Sequence, residues 1–294
     1  MPAIIIDGKK TGCKIETELI AKISDLSSKF KTKPGLAVIL AGDDKPSHTY
    51  VNLKKKKCAE LGIHAELYSY GNDVEEKTIV NQINILNTQN NINGILVQLP
   101  LPKQINVSRV INSILPEKDV DGFHPLNIGK LALGEPEFIP CTPFGVQKLF
   151  EYYDIPVKGK NAVIIGCSNV VGKPMGLLLQ LCETATCTIC HILTKDLREH
   201  TIDADIIISA AGVPNLIKAE HIKKNAVVID VGFNETNIRN ENGDMVRKIC
   251  GDVDYANVID KCSYITPVPG GVGPMTISML MCNTVKAWEN QALY

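Results

Sequence analysis

Apolar positions along this chain fall into two alternating patterns. Short continuous apolar runs mark strands covered on both faces, and stretches with an apolar residue every three or four positions mark amphipathic helices. Ile15, Leu19, Ile20, Ile23 and Leu26 predict a helix over Lys14–Lys29. Leu36–Ala41 reads as a strand, Tyr50–Leu61 as a helix stopped by Gly62, Ala65–Tyr70 as a strand and Glu75–Leu86 as a helix. Gly94–Pro102 reads as a third strand, halted by Pro100 and Pro102, which cannot donate to a ladder. Strands and helices alternating at this spacing predict βαβ units on a parallel sheet.

Proline and glycine become dense between Gly122 and Lys158, where a domain junction is expected. Pro140-Cys141-Thr142-Pro143 opens a helix over Phe144–Tyr153, and the alternation then resumes. Strands are predicted at Asn161–Gly166, Thr186–His191, Ala204–Gly212 and Ala226–Gly232, with a helix through Leu181 after the first. Glycine closes three of these four strands, the signature of a Rossmann-like domain whose ligand meets the carboxyl ends. A last helix runs to about Trp288. Returning after the second sheet, it is expected to pack on the first domain and leave a cleft between the two. The fold class is therefore α/β with two domains: residues 1–139 completed by 272–294, and a Rossmann-like domain over 140–271.

Composition narrows the function classes. With 294 residues and 45% apolar content the chain is long enough for two ordinary cores. A formal net charge of −1 gives no global attraction to nucleic acid or to an acidic membrane surface. No apolar run approaches the roughly 20 residues of a membrane helix. The start, M-P-A-I-I-I-D-G, lacks the basic and apolar segments of a signal peptide, so a cytosolic protein with reduced thiols is expected. The ten cysteines are scattered. Cys187-Thr188-Ile189-Cys190-His191 has the spacing of c-type haem attachment, but it lies in a β-branched run between helical segments and is read as strand. No metal site is read.

Candidate chemistry sits at polar departures from the pattern. In Ser47–Lys57, reading S-H-T-Y-V-N-L-K-K-K-K, Tyr50, Lys54 and Lys57 share a helix face while Lys55 and Lys56 point elsewhere. A tyrosine one turn from an ammonium can stack a flat heterocycle and hold a proton carrier beside it; the alternative is a solvated basic face. No aromatics are interleaved among the lysines to form a nucleic-acid track. Gln98 stands at the carboxyl end of a strand, where its amide either positions Lys54 or a substrate, or bonds neighbouring backbone. Asp119 and Asp121 before Gly122 read as an Asx-type turn, or as a carboxylate accepting two N–H donors from an aminopyrimidine edge. Gly166–Met175 is a glycine-bracketed strand-to-helix turn offering N–H groups to an anion. The second strand of that unit ends at His191, followed by Thr194, Lys195 and Arg198 with no acid at its tip, which favours the 2′-phosphate of NADP over NAD. Pro267–Pro274 packs three prolines and three glycines into eight residues, a fixed backbone turn.

Six motifs in order then carry a resemblance: Y-V-x-x-K-x-K (Tyr50, Val51, Lys54, Lys56), G-I-L-V-Q-L-P-L-P (Gly94–Pro102), K-D-V-D-G-F-H-P (Lys118–Pro125), P-C-T-P (Pro140–Pro143), the Gly166–Pro174 turn, and P-V-P-G-G-V-G-P-M-T (Pro267–Thr276). Over nearly its whole length the chain resembles the bifunctional methylenetetrahydrofolate dehydrogenase/cyclohydrolase family. The resemblance implies oxidation of 5,10-methylenetetrahydrofolate with NADP and hydrolysis of the methenyl product to 10-formyltetrahydrofolate. It implies Lys54 as general acid/base, Gln98 as its orienting partner, Tyr50 stacked on the folate, and Asp121 on the pterin amino group. Val268, Pro269, Gly270 and Gly271 would line the folate site, and Gly166, Cys167, Ser168 and Phe233 would contact the nucleotide, with His191 and Lys195 nearby. It further implies tetrahydrofolate derivatives as ligands and a homodimer, with no nucleic-acid or membrane partner. A base of this kind needs its amine made less basic, for which burial, a bound cation and Lys57 one turn away are the expected causes. One departure bears on the cofactor: many members carry arginine at the Cys167 position and serine or arginine after the His191 position, where this chain has Ile192 and Leu193. Lys195 or Arg198 is expected to compensate. The reading of another class, a non-catalytic folate or dinucleotide sensor, would require loss of residues such as Lys54.

Overall fold

In a computed structural model, which describes residues 2–239 and 245–293, the chain begins with a two-residue strand β1 (Ile4–Ile5) and helix α1 (Gly8–Phe30). β2 (Gly35–Ala41), α2 (Lys45–Leu61), β3 (His64–Tyr70), α3 (Glu76–Asn87) and β4 (Gly94–Val97) then alternate. Short helices α4 (Val107–Asn112) and α5 (Pro125–Ala132) lead to α6 (Cys141–Tyr152). A second alternation runs β5 (Asn161–Ile165), α7 (Gly172–Leu177), β6 (Thr186–Cys190), α8 (Leu197–Thr201), β7 (Ile206–Ser209) and β8 (Ala226–Asp230). The ribbon β9 (Asn234–Arg239) and β10 (Met245–Cys250), α9 (Tyr255–Val258), β11 (Cys262–Ile265) and α10 (Val272–Ala292) complete it. No helix among the described residues is long and apolar enough to cross a membrane.

The chain forms two compact units. The first comprises Cys13–Leu131, Glu135–Cys141 and Ile277–Tyr294. Its sheet is parallel, in the order β3-β2-β4, and every residue of the central β2 is buried. Ala37, Ile39, Ile95 and Val97 meet Ile79, Ile83 and Leu86 of α3, and full burial of one such branched side chain contributes about 1.5–3 kcal/mol. The C-terminal part of α10 packs on this unit. Trp288 is buried edge-on against Phe30, centroids 5.7 Å apart, and its Nε1 donates to Thr32 Oγ1 at 3.0 Å.

The second unit comprises Met1–Gly12, Ala132–Gly134 and Thr142–Thr276. Its six strands are all parallel in the order β1-β11-β8-β7-β5-β6, over a core that includes Val163, Ile207, Val228 and Ile265. From β5 the chain steps outward to β6 and then back across to β7, so the order reverses at β5. That reversal opens a crevice at the carboxyl ends, the general ligand position in such sheets.

Several boundaries differ from the sequence reading. α1 starts at Gly8 rather than Lys14, because Asp7 Oδ1 accepts from Lys10 N at 3.0 Å and anchors a polar first turn that has no apolar period. β4 ends at Val97 rather than Pro102. β1 pairs with β11 in the second sheet, so residues 1–12 cluster there and not with the rest of 1–139. The chain enters the first unit again at Ile277, five residues beyond the expected Val272.

Candidate active site

Helix α2 presents Ser47, Val51, Lys54, Cys58 and Leu61 as its buried stripe. Its start is set by Asp44, whose Oδ2 accepts from Ser47 N at 2.9 Å and Ser47 Oγ at 2.6 Å; its end is set by Gly62, left-handed at φ 76°. Lys54 is thus a cation in the middle of a core-facing stripe, only 8% exposed. Burial of an ammonium demands a partner. Lys54 Nζ donates to Gln98 Oε1 at 2.9 Å.

Gln98 follows directly on β4, and its backbone N donates to Ile39 O at 2.8 Å. Its Nε2 donates to Leu99 O at 2.8 Å, which fixes the amide with the oxygen toward Lys54. Both sequence readings of Gln98 therefore hold together: it bonds backbone, and by doing so it is aimed at the lysine. Asp121 is partly buried in the same unit, and removal from water pushes its carboxyl up to about 6, against the opposing pull of the Lys54 charge. Tyr50, one turn before Lys54, is half-buried, and burial raises its phenol.

Lys57 does not do what its helical spacing suggested. Its Nζ lies 2.9 Å from Glu16 Oε2 and 2.7 Å from Glu60 Oε2. Two carboxylates compensate its charge, so it does not act on Lys54 as a bare neighbouring cation.

In the second unit, Gly166, Cys167 and Ser168 follow β5, His191 follows β6, Phe233 follows β8 and Val268–Gly271 follow β11. The strands are parallel, so these residues share the carboxyl edge of one sheet. Gly166 has φ 111°, and a Cβ there would lie 2.2 Å from Ala210 O, so no other residue permits this approach of β5 to β7. Ser168 Oγ accepts from Val171 N at 3.1 Å, while Cys167 and Ser168 are themselves exposed. His191 Nδ1 accepts from Leu193 N at 3.1 Å. Ile192 and Leu193 stand bare at 99% and 81% exposure, and Lys195 and Arg198 are exposed beside them. Phe233 is 42% exposed. Gly271 N donates to Pro267 O at 2.9 Å, closing the Pro267–Gly271 turn.

Residues 6–121 match the family described as tetrahydrofolate dehydrogenase/cyclohydrolase, catalytic domain, and residues 140–292 match its NAD(P)-binding domain. The chain belongs to the tetrahydrofolate dehydrogenase/cyclohydrolase family. Among relatives of this family, the bifunctional protein FolD of Sulfurimonas denitrificans is 50% identical over 288 residues, 98% of each chain. That of Cupriavidus necator is 49% identical over 292 residues, covering 99% of this chain and 100% of its own. The crystal structure of the Campylobacter jejuni FolD methylenetetrahydrofolate dehydrogenase/cyclohydrolase superposes with a TM-score of 0.91 at 48% identity, covering 98% and 99% of the two chains. The Trypanosoma brucei dehydrogenase-cyclohydrolase, solved with NADP cofactor and inhibitor, superposes with a TM-score of 0.93 at 35% identity, covering 99% and 98%.

Two residues that organise these sites were not among the sequence-predicted site residues: Cys141, within the P-C-T-P motif, and Asn283. Cys141 Sγ donates to Val120 O at 3.4 Å and lies against Asp121; burial, then the Asp121 charge, raises its thiol far above the usual range. Asn283 of α10 donates through Nδ2 to Val120 O at 2.9 Å and Ile139 O at 3.0 Å, tying together the segments that carry Asp121 and Cys141. A polar residue interrupting the apolar Met279–Val285 stretch was the available signal.

Proposed function

We propose that this chain oxidises 5,10-methylenetetrahydrofolate to the 5,10-methenyl cation with NADP and hydrolyses that cation to 10-formyltetrahydrofolate. The observation that carries the reading is a buried Lys54 whose amine is aimed by Gln98, with the Asp121 carboxyl close enough to feel its charge. Intact Lys54, Gln98 and Asp121 disfavour a non-catalytic sensor.

Tyr50 offers a flat face to the pterin, and Asp121 accepts the N–H donors of its aminopyrimidine edge. Gln98 holds the Lys54 amine at the one-carbon bridge. In hydrolysis, Lys54 as the neutral amine takes a proton from water as it attacks the electron-poor bridge carbon, then gives that proton to the ring nitrogen as its C–N bond breaks, while the carbinol O–H proton leaves to solvent and the formyl C=O forms.

The second unit suits a dinucleotide: Gly166 has no side chain to block its turn, Cys167 and Ser168 are open, and Lys195 and Arg198 stand free at the ribose end with His191. NADP, when bound, supplies the hydride acceptor. Gly166, Cys167, Ser168 and Phe233 would contact it. Lys195 and Arg198 take the 2′-phosphate in place of the missing serine and arginine. Replacing both by alanine is expected to raise KM for NADP by about 10- to 100-fold while leaving KM for NAD within about twofold, since each charge-assisted phosphate contact contributes on the order of tenfold. An unchanged NADP/NAD ratio of kcat/KM would remove both residues from cofactor selection.

Asp121 adds a pH dependence. Its carboxyl titrates near 6, and only the ionised form accepts two N–H donors. KM for the folate is expected to be flat above about pH 7 and to rise as pH falls through 6, by about tenfold for each pH unit below it. A KM that stays constant down to about pH 5 would exclude ionised Asp121 as the pterin contact. The overall reading is tested by following NADPH formation from methylenetetrahydrofolate and loss of the methenyl chromophore in one preparation; a protein that binds both ligands but turns over neither would favour the sensor. The protein is further taken to be a cytosolic homodimer serving one-carbon transfer to purine synthesis, which size-exclusion chromatography with light scattering tests for the dimer.

A further inference from the structure

Behind the nucleotide edge lies a carboxylate that no step above uses. Asp252 is fully buried, two residues beyond the end of β10. Its Oδ2 accepts from Ala211 N at 2.7 Å, Gly212 N at 3.1 Å and Ser209 Oγ at 3.1 Å. Its Oδ1 accepts from Val213 N at 3.0 Å and Asn234 Nδ2 at 2.9 Å. A buried carboxylate ordinarily requires a cation; here five N–H and O–H donors replace one. Three of those donors are consecutive backbone amides of a single loop, the one leaving the carboxyl end of β7.

That loop is the far wall of the crevice. Ala210 O is the atom that a side chain at Gly166 would strike, so Ala210–Val213 faces the phosphate turn across the point where strand order reverses. Asp252 is itself locked from behind. Its N donates to Asp230 Oδ1 at 2.9 Å, and Val253 N donates to Asp230 Oδ2 at 2.9 Å. A Cβ at Gly251 would lie 1.8 Å from Asp230 Oδ2, which is why a glycine precedes Asp252. Ser209 and Asp230 are register partners on β7 and β8, so the two carboxylates tie the ends of both strands to one anchor.

We propose that Asp252 is a positioning residue for NADP: it holds the Ala211–Val213 amides in the one arrangement that leaves the crevice open and correctly shaped. The proposal rests on the dinucleotide lying against Gly166–Ser168. Asp252→Asn keeps the shape but turns an acceptor into a donor that opposes backbone N–H groups. Two readouts on the NADP-free and NADP-titrated protein test it. Hydrogen exchange of the Ala211, Gly212 and Val213 amides should accelerate by about 10- to 100-fold, and the calorimetric Kd for NADP should rise by a similar factor, as expected when one buried acceptor is lost. Hydrolysis of methenyltetrahydrofolate, which consumes no dinucleotide, should stay within about twofold.

A folded Asp252→Asn protein with the parent Kd would overturn the proposal. If that variant does not fold, Ser209→Ala combined with Asn234→Ala removes two of the five donors and should weaken NADP by about 3- to 10-fold; no change would overturn it equally. Gly166→Ala separates the two assumptions. Weakening by Gly166→Ala without weakening by Asp252→Asn would remove Asp252 alone, whereas indifference to both would show the nucleotide to bind elsewhere.

Discussion

Lys54→Met is expected to lower the rate of methenyltetrahydrofolate hydrolysis by about 10²–10⁴-fold, the usual contribution of a positioned acid/base. Methionine keeps the unbranched stem that packs between Val51 and Cys58 on the buried stripe of α2, so the helix should remain in place. What disappears is the amine and its bond to Gln98 Oε1. Leaving that oxygen without its donor costs about 1–3 kcal/mol, a stability loss visible in Tm but too small to unfold an ordinary domain. NADP affinity should stay within about twofold, because the dinucleotide site belongs to the other unit. Retained hydrolysis in a folded Lys54→Met protein would take Lys54 out of the mechanism. The same variant should raise the Asp121 pKa further above 6, since the charge that opposes its burial is gone.

The second large effect is expected at Gly166. Gly166→Val places a branched side chain where a Cβ already lies 2.2 Å from Ala210 O, on a backbone at φ 111° that valine does not adopt without strain. The crevice between β5 and β7 must then widen or the turn must refold, and either outcome displaces the amides of Cys167 and Ser168. NADP binding is expected to weaken by about 100-fold or more, and the dehydrogenase activity with it. Hydrolysis read in the same preparation reports whether the first unit is still folded. NADP binding within a few-fold of the parent would mean that the phosphates do not rest on this turn.

Much of this was legible in the chain because local and global preferences agree. β2 and β8 are continuous apolar runs, and both proved to be central strands buried along their whole length. The end of α2 at Gly62 was readable from the residue type, whereas its start at Lys45, capped by Asp44, lies five residues before the expected Tyr50. The lysine site was marked in the chain by Tyr50 one turn before Lys54 and by the motif that holds both; that Lys54 sits in the buried stripe with Val51, Cys58 and Leu61 emerges from the structure.

What sequence did not reveal depends on distant pairing. β1 and β11 are short, and each becomes a strand by bonding to a neighbour far away in the chain. β9 (N-E-T-N-I-R) is polar at five of six positions, and in β10 (M-V-R-K-I-C) the apolar residues flank Arg247 and Lys248 without alternating. Lys57 shares a face with Lys54, but only the structure brings Glu16 of α1 against it. No motif in the chain singles out Asp230 or Asp252. Their burial becomes apparent only when the loop amides of Ala211–Val213 are seen to converge on one carboxylate.

The most direct test is a crystal structure of the protein with NADP and a non-reactive folate analogue bound. The pterin ring is expected to stack on Tyr50, with its amino edge on the Asp121 carboxylate and Lys54 Nζ turned to the one-carbon bridge while still held by Gln98. A pterin bound away from Tyr50, with Lys54 still bonded to Gln98 and out of reach of the bridge carbon, would contradict it.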